Sequence, residues 1–206
     1  KPGPGQIRNS NSHQLMAQAR AIGLPVEYIG IASDTPEATR EMITEGFSRS
    51  NILLLTGGVS MGDFDFVPEV MQELGVEILF KSIAVQPGRR TIFGTRSEKF
   101  LFGLPGNPVS SFVQFELLVK QLAFRVMGHS YKPQTVKLPM AADFHRKKAE
   151  RKSFLPVRIS SEGQIEALNY HGSAHLHAYE GADGILSVEI GETHIEAGEL
   201  RDVRQL

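Results

Sequence analysis

The sequence contains no cysteine, which excludes both a disulfide framework and a thiolate metal site. It also lacks an excess of either charge, because the formal net charge is −1 at pH 7. Bulk electrostatics therefore favour neither nucleic acid nor a membrane surface as a partner. No apolar run reaches the ~18 residues of a membrane span, and the start has no apolar signal-peptide core. The 206 residues are 41% hydrophobic, which is enough to bury a core.

Glycine and aspartate are concentrated in one loop. An apolar run at 52–55 leads into residues 56–66, which hold three glycines and the carboxylates of Asp63 and Asp65. Such a run is typical of a strand covered on both faces, and ligands of open α/β sheets bind at the carboxyl ends of strands. Glycines let backbone N–H groups approach an anion, and two carboxylates can hold a hard cation or move a proton. We favour a functional loop over a glycine-rich turn with solvated aspartates.

Helices and strands alternate with short connections over the first 130 residues. This pattern predicts a parallel or mixed sheet covered by helices. The predicted helices begin after the caps at 10–12, after Asp34 or Thr35, at about Val67, and at Pro108, the last running to about Met127. The predicted strands lie at 26–32, 52–55, 78–85, 91–94 and 100–102.

The last of these helices begins at a second candidate site. Asn107 is a good N-cap, and Pro108 stands at the first helical position. A helix N-terminus preceded by Pro-Gly can bind an anion, because its first N–H groups have no partner within the helix. An ordinary capped helix is the alternative, and this stretch alone leaves the two interpretations open.

The pattern changes near Tyr131. Beyond it, apolar residues alternate with period two, and turn residues separate the segments at short intervals. This predicts a small all-β module, a barrel or a sandwich. We therefore divide the chain into an α/β domain at 1–130 and a β domain at 131–206.

Two other groups of residues have plain interpretations. His171, His175 and His177 suggest zinc, but no cysteine supports them and no acidic ligand follows at a typical spacing, so hydrogen-bonding loop histidines are preferred. The basic run at 145–152 is typical of a solvated hairpin loop, with an acidic partner as the minority interpretation. The chain has neither the Lys-Ser/Thr of a nucleotide P-loop nor a Gly-x-Ser-x-Gly nucleophile elbow, so a serine hydrolase is not expected.

Five motifs in order carry a family resemblance. They are Gly5-Gln6-Ile7-x-x-Ser10-Asn11, Gly30-Ile31-x-x-Asp34, Thr56-Gly57-Gly58-Val59-Ser60-x-Gly62-x-x-Asp65, Pro87-Gly88-Arg89 and Gly103-Leu104-Pro105-Gly106-Asn107-Pro108-Val109-Ser110. Together they resemble the molybdopterin molybdenumtransferase family, which includes the E domain of gephyrin. The resemblance implies an α/β molybdopterin-binding domain followed by a small β barrel. It also implies two N-terminal domains that precede this region. The chain opens at Lys1 without methionine, so we expect it to be part of a longer protein.

The resemblance implies a reaction and a set of site residues. Molybdate would be inserted into adenylated molybdopterin with Mg²⁺ present, releasing AMP and molybdenum cofactor, in a cytoplasmic homodimer without nucleic-acid or membrane partners. Asp34 and Asp65 match functional aspartates and would be catalytic, and Asp63 and Asp65 would hold the metal. The implied substrate-binding residues are Thr56, Gly57, Gly58, Ser60, Pro87, Arg89, Pro105, Gly106, Asn107, Pro108 and Ser173.

The sequence departs from the family at two positions. Asn9 stands where many members have aspartate, and Arg89 stands where lysine is common, which keeps the charge but adds a planar fork. Two other functions are weighed. A molybdopterin adenylyltransferase shares the Thr-Gly-Gly loop but not the β module, and a gephyrin-like scaffold would keep the fold without catalysis.

Overall fold

The computed structural model describes residues 3, 8–59, 66–168 and 176–206. These residues form a mixed α/β part followed by a part made almost entirely of strands, which confirms the predicted fold class. None of the helices in these ranges is long and apolar enough to cross a membrane.

The N-terminal sheet has four strands, and only one neighbouring pair of them is parallel. Strand β1 (Ile52–Thr56) pairs in parallel with β5 (Lys99–Leu104), whereas β4 (Ile92–Arg96) is antiparallel to both β5 and β2 (Glu77–Phe80). The sheet is therefore mixed, one of the two arrangements that the alternating pattern predicts. In spatial order the strands are β1, β5, β4 and β2.

Both faces of this sheet are covered, because alternate residues of each strand point to opposite sides. Leu53 and Leu101 pack with the second and third helices on one face. Leu54 and Phe102 pack with the first and last helices on the other. The helices are α1 (Asn11–Ala21), α2 (Pro36–Arg49), α3 (Val67–Glu73) and a long last helix made of α4 (Pro108–Gln114), a π-helical turn (Phe115–Val119) and α5 (Lys120–Val126).

The predicted strand at 26–32 is wrong. The segment between α1 and α2 is assigned to no strand and pairs with no strand of the described residues. The Ile29 side chain of this segment packs on the core that contains Leu53 and Leu101, but Tyr28 and Ile31 are exposed. An extended, alternating stretch becomes a strand only when a neighbouring backbone completes its hydrogen bonds, and pattern alone does not supply that neighbour.

The predicted strand at 78–85 is two strands in two different sheets. Glu77–Phe80 is the edge strand β2 of the first sheet, whereas Val85–Gln86 forms β3, which runs parallel to β8 of the second sheet. The second sheet has the order β3-β8-β10-β12-β6, with β9 paired to β8. Its remaining strands are β6 (Thr135–Pro139), β8 (Lys152–Ile159), β9 (Ile165–Ala167), β10 (Gly184–Val188) and β12 (Leu200–Gln205); β7 (Phe144–His145) and β11 (His194–Ile195) form a separate pair.

The second sheet curls until its two edges meet. Met140, just after β6, forms an isolated bridge with Ile165 of β9, and the Ala141 N–H donates to the Ile165 carbonyl at 2.9 Å. No continuous ladder closes the circle within the described ranges, so the predicted barrel is joined at a single point. Its interior is apolar, with Val157, Leu186 and Val203 fully buried.

Candidate functional site

Two loops leave the first sheet side by side. Thr56, the last residue of β1, is the register partner of Leu104, the last residue of β5. Because these strands are parallel, both loops emerge at the same carboxyl edge, where α/β proteins bind ligands. The Gly57 N–H donates to the Leu104 carbonyl at 3.1 Å and extends the pairing one step into the loop. This amide is therefore occupied, and the expected anion contact of the glycine loop cannot begin at Gly57.

Asn11 of α1 ties the two loops together. Its side-chain amide donates to the Thr56 hydroxyl oxygen at 2.8 Å and to the Gly106 carbonyl at 2.7 Å. The Thr56 hydroxyl in turn donates to the Pro105 carbonyl at 3.1 Å. Thr56, Gly57, Pro105 and Gly106, all predicted as substrate-binding residues, are thus brought together by a residue that was not on that list.

Glycine is required at two positions of the first loop, and the reasons differ. Gly57 and Gly58 both have positive φ, at 88° and 66°, a region that costs other residues about 1 kcal/mol or more. A Cβ on Gly57 would meet no atom of the described residues within 4 Å, so those residues leave open space at that position. A Cβ on Gly58 would lie 3.1 Å from Val67 Cγ2, so that position is closed by α3. A Cβ on Gly106 would touch Gly57 Cα at 3.5 Å, an ordinary contact.

The last helix begins next to this cluster. Asn107 is its N-cap residue and Pro108 its first residue, as predicted, but the Asn107 side chain does not cap the helix. Gln14 of α1 donates to the Pro108 carbonyl at 3.1 Å and holds α1 against this helix end. The first N–H groups of a helix have no acceptor within it. Here they belong to buried residues, Val109 and Ser110.

The Pro87-Gly88-Arg89 loop is held from two sides. It follows β3, which lies in the second sheet. On the other side, the fully buried Gln114 donates to the Pro87 carbonyl at 2.9 Å. A side chain on Gly88, whose φ is 102°, would overlap Gln114. Arg89 itself is exposed, and its carbonyl accepts from the Ile83 N–H at 3.0 Å.

Gln114 stands on the helix that begins at Pro108, about 9 Å along its axis at 1.5 Å per residue. The helix therefore connects the Arg89 loop to the helix end beside Gly106. The π-helical turn starts directly after Gln114, and single π turns within α-helices occur often at functional sites. The predicted cationic group and the predicted anion-binding helix end thus share one support.

The β module also contacts this helix. The 3₁₀ turn Leu176–Tyr179 places Tyr179 against Phe112, with ring centroids 4.9 Å apart. Farther along, the Arg204 guanidinium of β12 donates to the Glu116 carbonyl and stacks 6.0 Å from the Tyr131 ring. The second sheet therefore bears on both the helix and the Arg89 loop.

Several predicted site residues are not part of the cluster described above. Ser60, Asp63, Asp65 and Ser173 fall outside the described residues. Asp34 is exposed in the turn before α2, and no hydrogen bond between described residues joins it to the Thr56 cluster. His171 and His175 also lie outside the described ranges.

Sequence reasoning missed two supporting residues. Asn11 appeared only as part of a motif and a cap candidate, and Gln114 was one polar residue in an apolar helix. A buried glutamine in such a helix was the available signal for Gln114, since burial of an amide requires a partner. Asn9 lies just before α1: its oxygen accepts from the Ser12 N–H, and its amide donates to the Tyr28 hydroxyl, both at 3.1 Å.

Both parts of the chain match known families. Residues 3–124 match the family described as "Probable molybdopterin binding domain", and residues 137–206 match the one described as "MoeA C-terminal region (domain IV)". The first match covers more than half of the chain. The chain therefore belongs to the molybdopterin-binding domain family. In this chain that domain is followed by a MoeA-type C-terminal region.

Individual relatives agree with these matches. The chain is 37% identical over 144 residues to a molybdopterin molybdenumtransferase of Staphylococcus epidermidis, a match that covers 69% of this chain and 34% of that one. It is 41% identical over 119 residues to the Bacillus subtilis molybdopterin molybdenumtransferase, a match that covers 58% of this chain and 28% of that one. The fold superposes on a molybdopterin biosynthesis MoeA protein of Pyrococcus horikosii with a TM-score of 0.84 and 27% identity, over 100% of this chain and 50% of that one. The chain thus spans about a third of the length of these curated relatives.

Proposed function

We propose that this chain carries the substrate-binding and molybdate-inserting part of a molybdopterin molybdenumtransferase. The substrate would be adenylated molybdopterin, and insertion of molybdate would release AMP and form molybdenum cofactor. The observation that carries the proposal is the pair of cross-linked loops at the carboxyl ends of β1 and β5, in a chain that matches both a molybdopterin-binding domain and a MoeA C-terminal region.

The pterin and its phosphates would lie over the two loops. The described residues leave open space at Gly57, and the Gly58 N–H has no acceptor among them, so it is available to a phosphate oxygen. The Asn11 bridge would keep the loops at one spacing before the substrate arrives, which lowers the ordering cost of binding. Thr56, Pro105 and Gly106 would form the floor of this subsite.

Molybdate would bind between Arg89 and the helix end at Pro108. A tetrahedral oxyanion suits a guanidinium fork and unpaired helix N–H groups, each worth roughly 1–3 kcal/mol when partly desolvated. Gln114 would hold the Arg89 loop at a constant distance from that helix end. Ser173 of the β module and Asn107 would complete the subsite, as the family resemblance implies.

Acid–base chemistry and Mg²⁺ would depend on the aspartates. Asp63 and Asp65 supply the hard oxygen donors that Mg²⁺ takes, and the ion would neutralise phosphate charge there. Ser60 would bind the substrate, and Asp34 would be the second catalytic carboxylate. The proposal includes a cytoplasmic homodimer, supported by the family resemblance alone.

Two measurements test the proposal. Calorimetric titration of adenylated molybdopterin into the chain should give one site per chain. Replacing the matching region of the Staphylococcus epidermidis relative with this chain should preserve AMP release that depends on molybdate. Asp65→Asn in that hybrid should lose most activity because an amide cannot replace a carboxylate at a cation, whereas Asp202→Asn, on β12, should not. A folded hybrid with Asp65→Asn at full turnover would contradict the role of Asp65.

The same assay separates the main alternative. An adenylyltransferase would incorporate AMP into molybdopterin and would not need molybdate. The match of residues 137–206 to a MoeA C-terminal region favours the molybdenumtransferase. AMP incorporation without molybdate-dependent release would reverse that choice.

The role of Arg89 has its own test. Arg89→Ala should raise the molybdate concentration at half-maximal insertion and leave binding of the adenylated pterin nearly intact. Lost pterin binding with unchanged molybdate dependence would move Arg89 to the phosphate side. The neighbouring Arg90→Ala is the matched control, since it removes the same charge one position along the chain.

A further inference from the structure

Two histidines lie opposite each other on the outside of the β module. His145 of β7 and His194 of β11 are register partners in the separate two-stranded pair. Their rings stack with centroids 4.1 Å apart and an interplanar angle of 2°. Directly opposed residues of a sheet hold their Cβ atoms about 5 Å apart, which brings the two rings together. Both residues are exposed.

The strands beneath these histidines are firmly anchored. The preceding and following residues, Phe144 and Ile195, pair with each other and turn inward, and Ile195 is fully buried in the core of the module. The Arg146 N–H donates to the Thr193 carbonyl at 2.9 Å and continues the pairing beyond His145. Packing of Phe144 and Ile195 into the core therefore fixes the backbone that carries the two imidazoles.

A carboxylate completes the group. Asp143 Oδ2 lies 3.8 Å from His194 Nε2, and one ligand atom from each of Asp143, His145 and His194 lies within 4.8 Å of the other two. The second oxygen of Asp143 accepts from the Ala197 N–H at 2.8 Å, which orients the carboxylate. Outer hydrogen bonds of this kind accompany the ligands of metal sites.

We propose that Asp143, His145 and His194 bind a borderline divalent transition-metal ion, with Zn²⁺ as the type. Two imidazoles and one carboxylate match the ligand preference of such ions, whereas Mg²⁺ and Ca²⁺ prefer all-oxygen sites. Three protein ligands leave a fourth position for water. The site lies in the β module and is separate from the loops of the proposed molybdate reaction.

Zinc binding requires the two imidazoles to rotate out of their parallel stack, because each nitrogen coordinates a metal in the plane of its own ring. A tetrahedral zinc ion about 2.1 Å from each ligand atom spaces the ligand atoms about 3.4 Å apart. No two of the three ligand atoms are more than 4.8 Å apart, so the widest gap would close by at most about 1.4 Å. Exposed side chains can make this adjustment by rotation. Binding would tie β7 to β11 and stabilise the folded module by mass action.

Zinc titration of the protein without a polyhistidine tag tests the proposal. We expect one equivalent of Zn²⁺ to bind, to raise the melting temperature and to shift the imidazole nitrogen resonances of His145 and His194. Mg²⁺ at the same concentration should produce none of these three effects. His145→Ala and His194→Ala should each weaken zinc binding at least tenfold and abolish the melting shift, and Asp143→Asn should weaken it less.

The controls use the other histidines. His129→Ala removes an exposed histidine outside the group and should leave zinc binding unchanged. Zinc affinity that survives both His145→Ala and His194→Ala, or that is lost in His171→Ala or His175→Ala instead, would overturn the proposal. Circular dichroism of each variant separates lost binding from lost folding.

Discussion

The side-chain amide of Asn11 donates to the Thr56 hydroxyl oxygen at 2.8 Å and so connects the first helix to the end of the first strand. Its second hydrogen bond, to the Gly106 carbonyl, reaches the loop after β5. One side chain thus sets the spacing of the two loops that we assign to pterin binding. This arrangement leads directly to a test of the amide.

Asn11→Asp should destabilise the protein by about 1 kcal/mol or more and weaken binding of adenylated molybdopterin. The carboxylate would face the Gly106 carbonyl, which can only accept, so one hydrogen bond becomes a repulsion. Urea unfolding and calorimetric titration measure the two effects. Asn9→Asp is the matched control, because the Tyr28 hydroxyl can reverse its role and donate to the new carboxylate. Equal stability of Asn11→Asp and the parent would show that the Asn11 amide does not stabilise the two loops.

Gly57→Ala should weaken binding of adenylated molybdopterin more than its effect on stability would explain. The added methyl meets no atom of residues 8–59, 66–168 or 176–206 within 4 Å, so we expect the fold to suffer only the strain of a φ of 88°, about 1 kcal/mol. Gly128→Ala has the same strain at a φ of 80° and the same open surroundings, away from the loops. Similar melting shifts with an affinity loss in Gly57→Ala alone are expected. Unchanged affinity would show that the loop is only a turn.

Gln114→Met should loosen the Arg89 loop. It removes the donor to the buried Pro87 carbonyl, a loss of about 1–3 kcal/mol. The Ile83 amide, which donates to the Arg89 carbonyl, should then exchange its hydrogen faster.

Gln18→Met is the matched control for this test. Gln18 is also buried and also donates to a backbone carbonyl of the last helix, that of Phe112, but it does not contact the loop. Both variants should lower the melting temperature, and only Gln114→Met should change Ile83 exchange. The reverse pattern would separate the loop from Gln114.

Glu192 should contribute stability that is lost in acid. Burial alone would raise the pKa of Glu192, but hydrogen bonds from Arg201 and the Glu189 N–H, with the charges of Arg201 and Arg146, hold it below its ordinary value of 4.5. A lowered pKa stabilises the fold at higher pH, and this contribution disappears as pH falls from about 4.5 through the folded value.

Glu192→Gln should therefore reduce the stability difference between pH 7 and pH 3.5, by about 1 kcal/mol at most for a partly exposed pair. Chemical unfolding at the two pH values measures it. Glu166→Gln, which removes an exposed carboxylate of β9, is the control. An undiminished difference in Glu192→Gln would assign the acid sensitivity to other groups.

Local signals predicted many elements well. Thr35, one of the two predicted caps, caps α2 by accepting a hydrogen bond from the Ala38 N–H at 3.2 Å, and Pro36 lies in the first turn. The helix predicted to begin at about Val67 does begin there, and Gly75, at a φ of 73°, follows its end. These features depend on residues close in sequence, so the sequence carries their physics directly. The failures at 26–32 and 78–85 both concern which strand a segment pairs with, and pairing depends on distant residues.

The sequence by itself determined the apolar strand at 52–55, the glycines that permit positive φ beyond it, and the helix that starts at Pro108. Each follows from hydrophobic periodicity or from the conformational limits of single residues. Only the tertiary structure decided that Asn11 would bridge two loops, that Val85–Gln86 would join the second sheet, and that His145 would face His194. These relationships arise from strand register and helix packing, which join residues far apart in the chain through contacts that no local pattern contains.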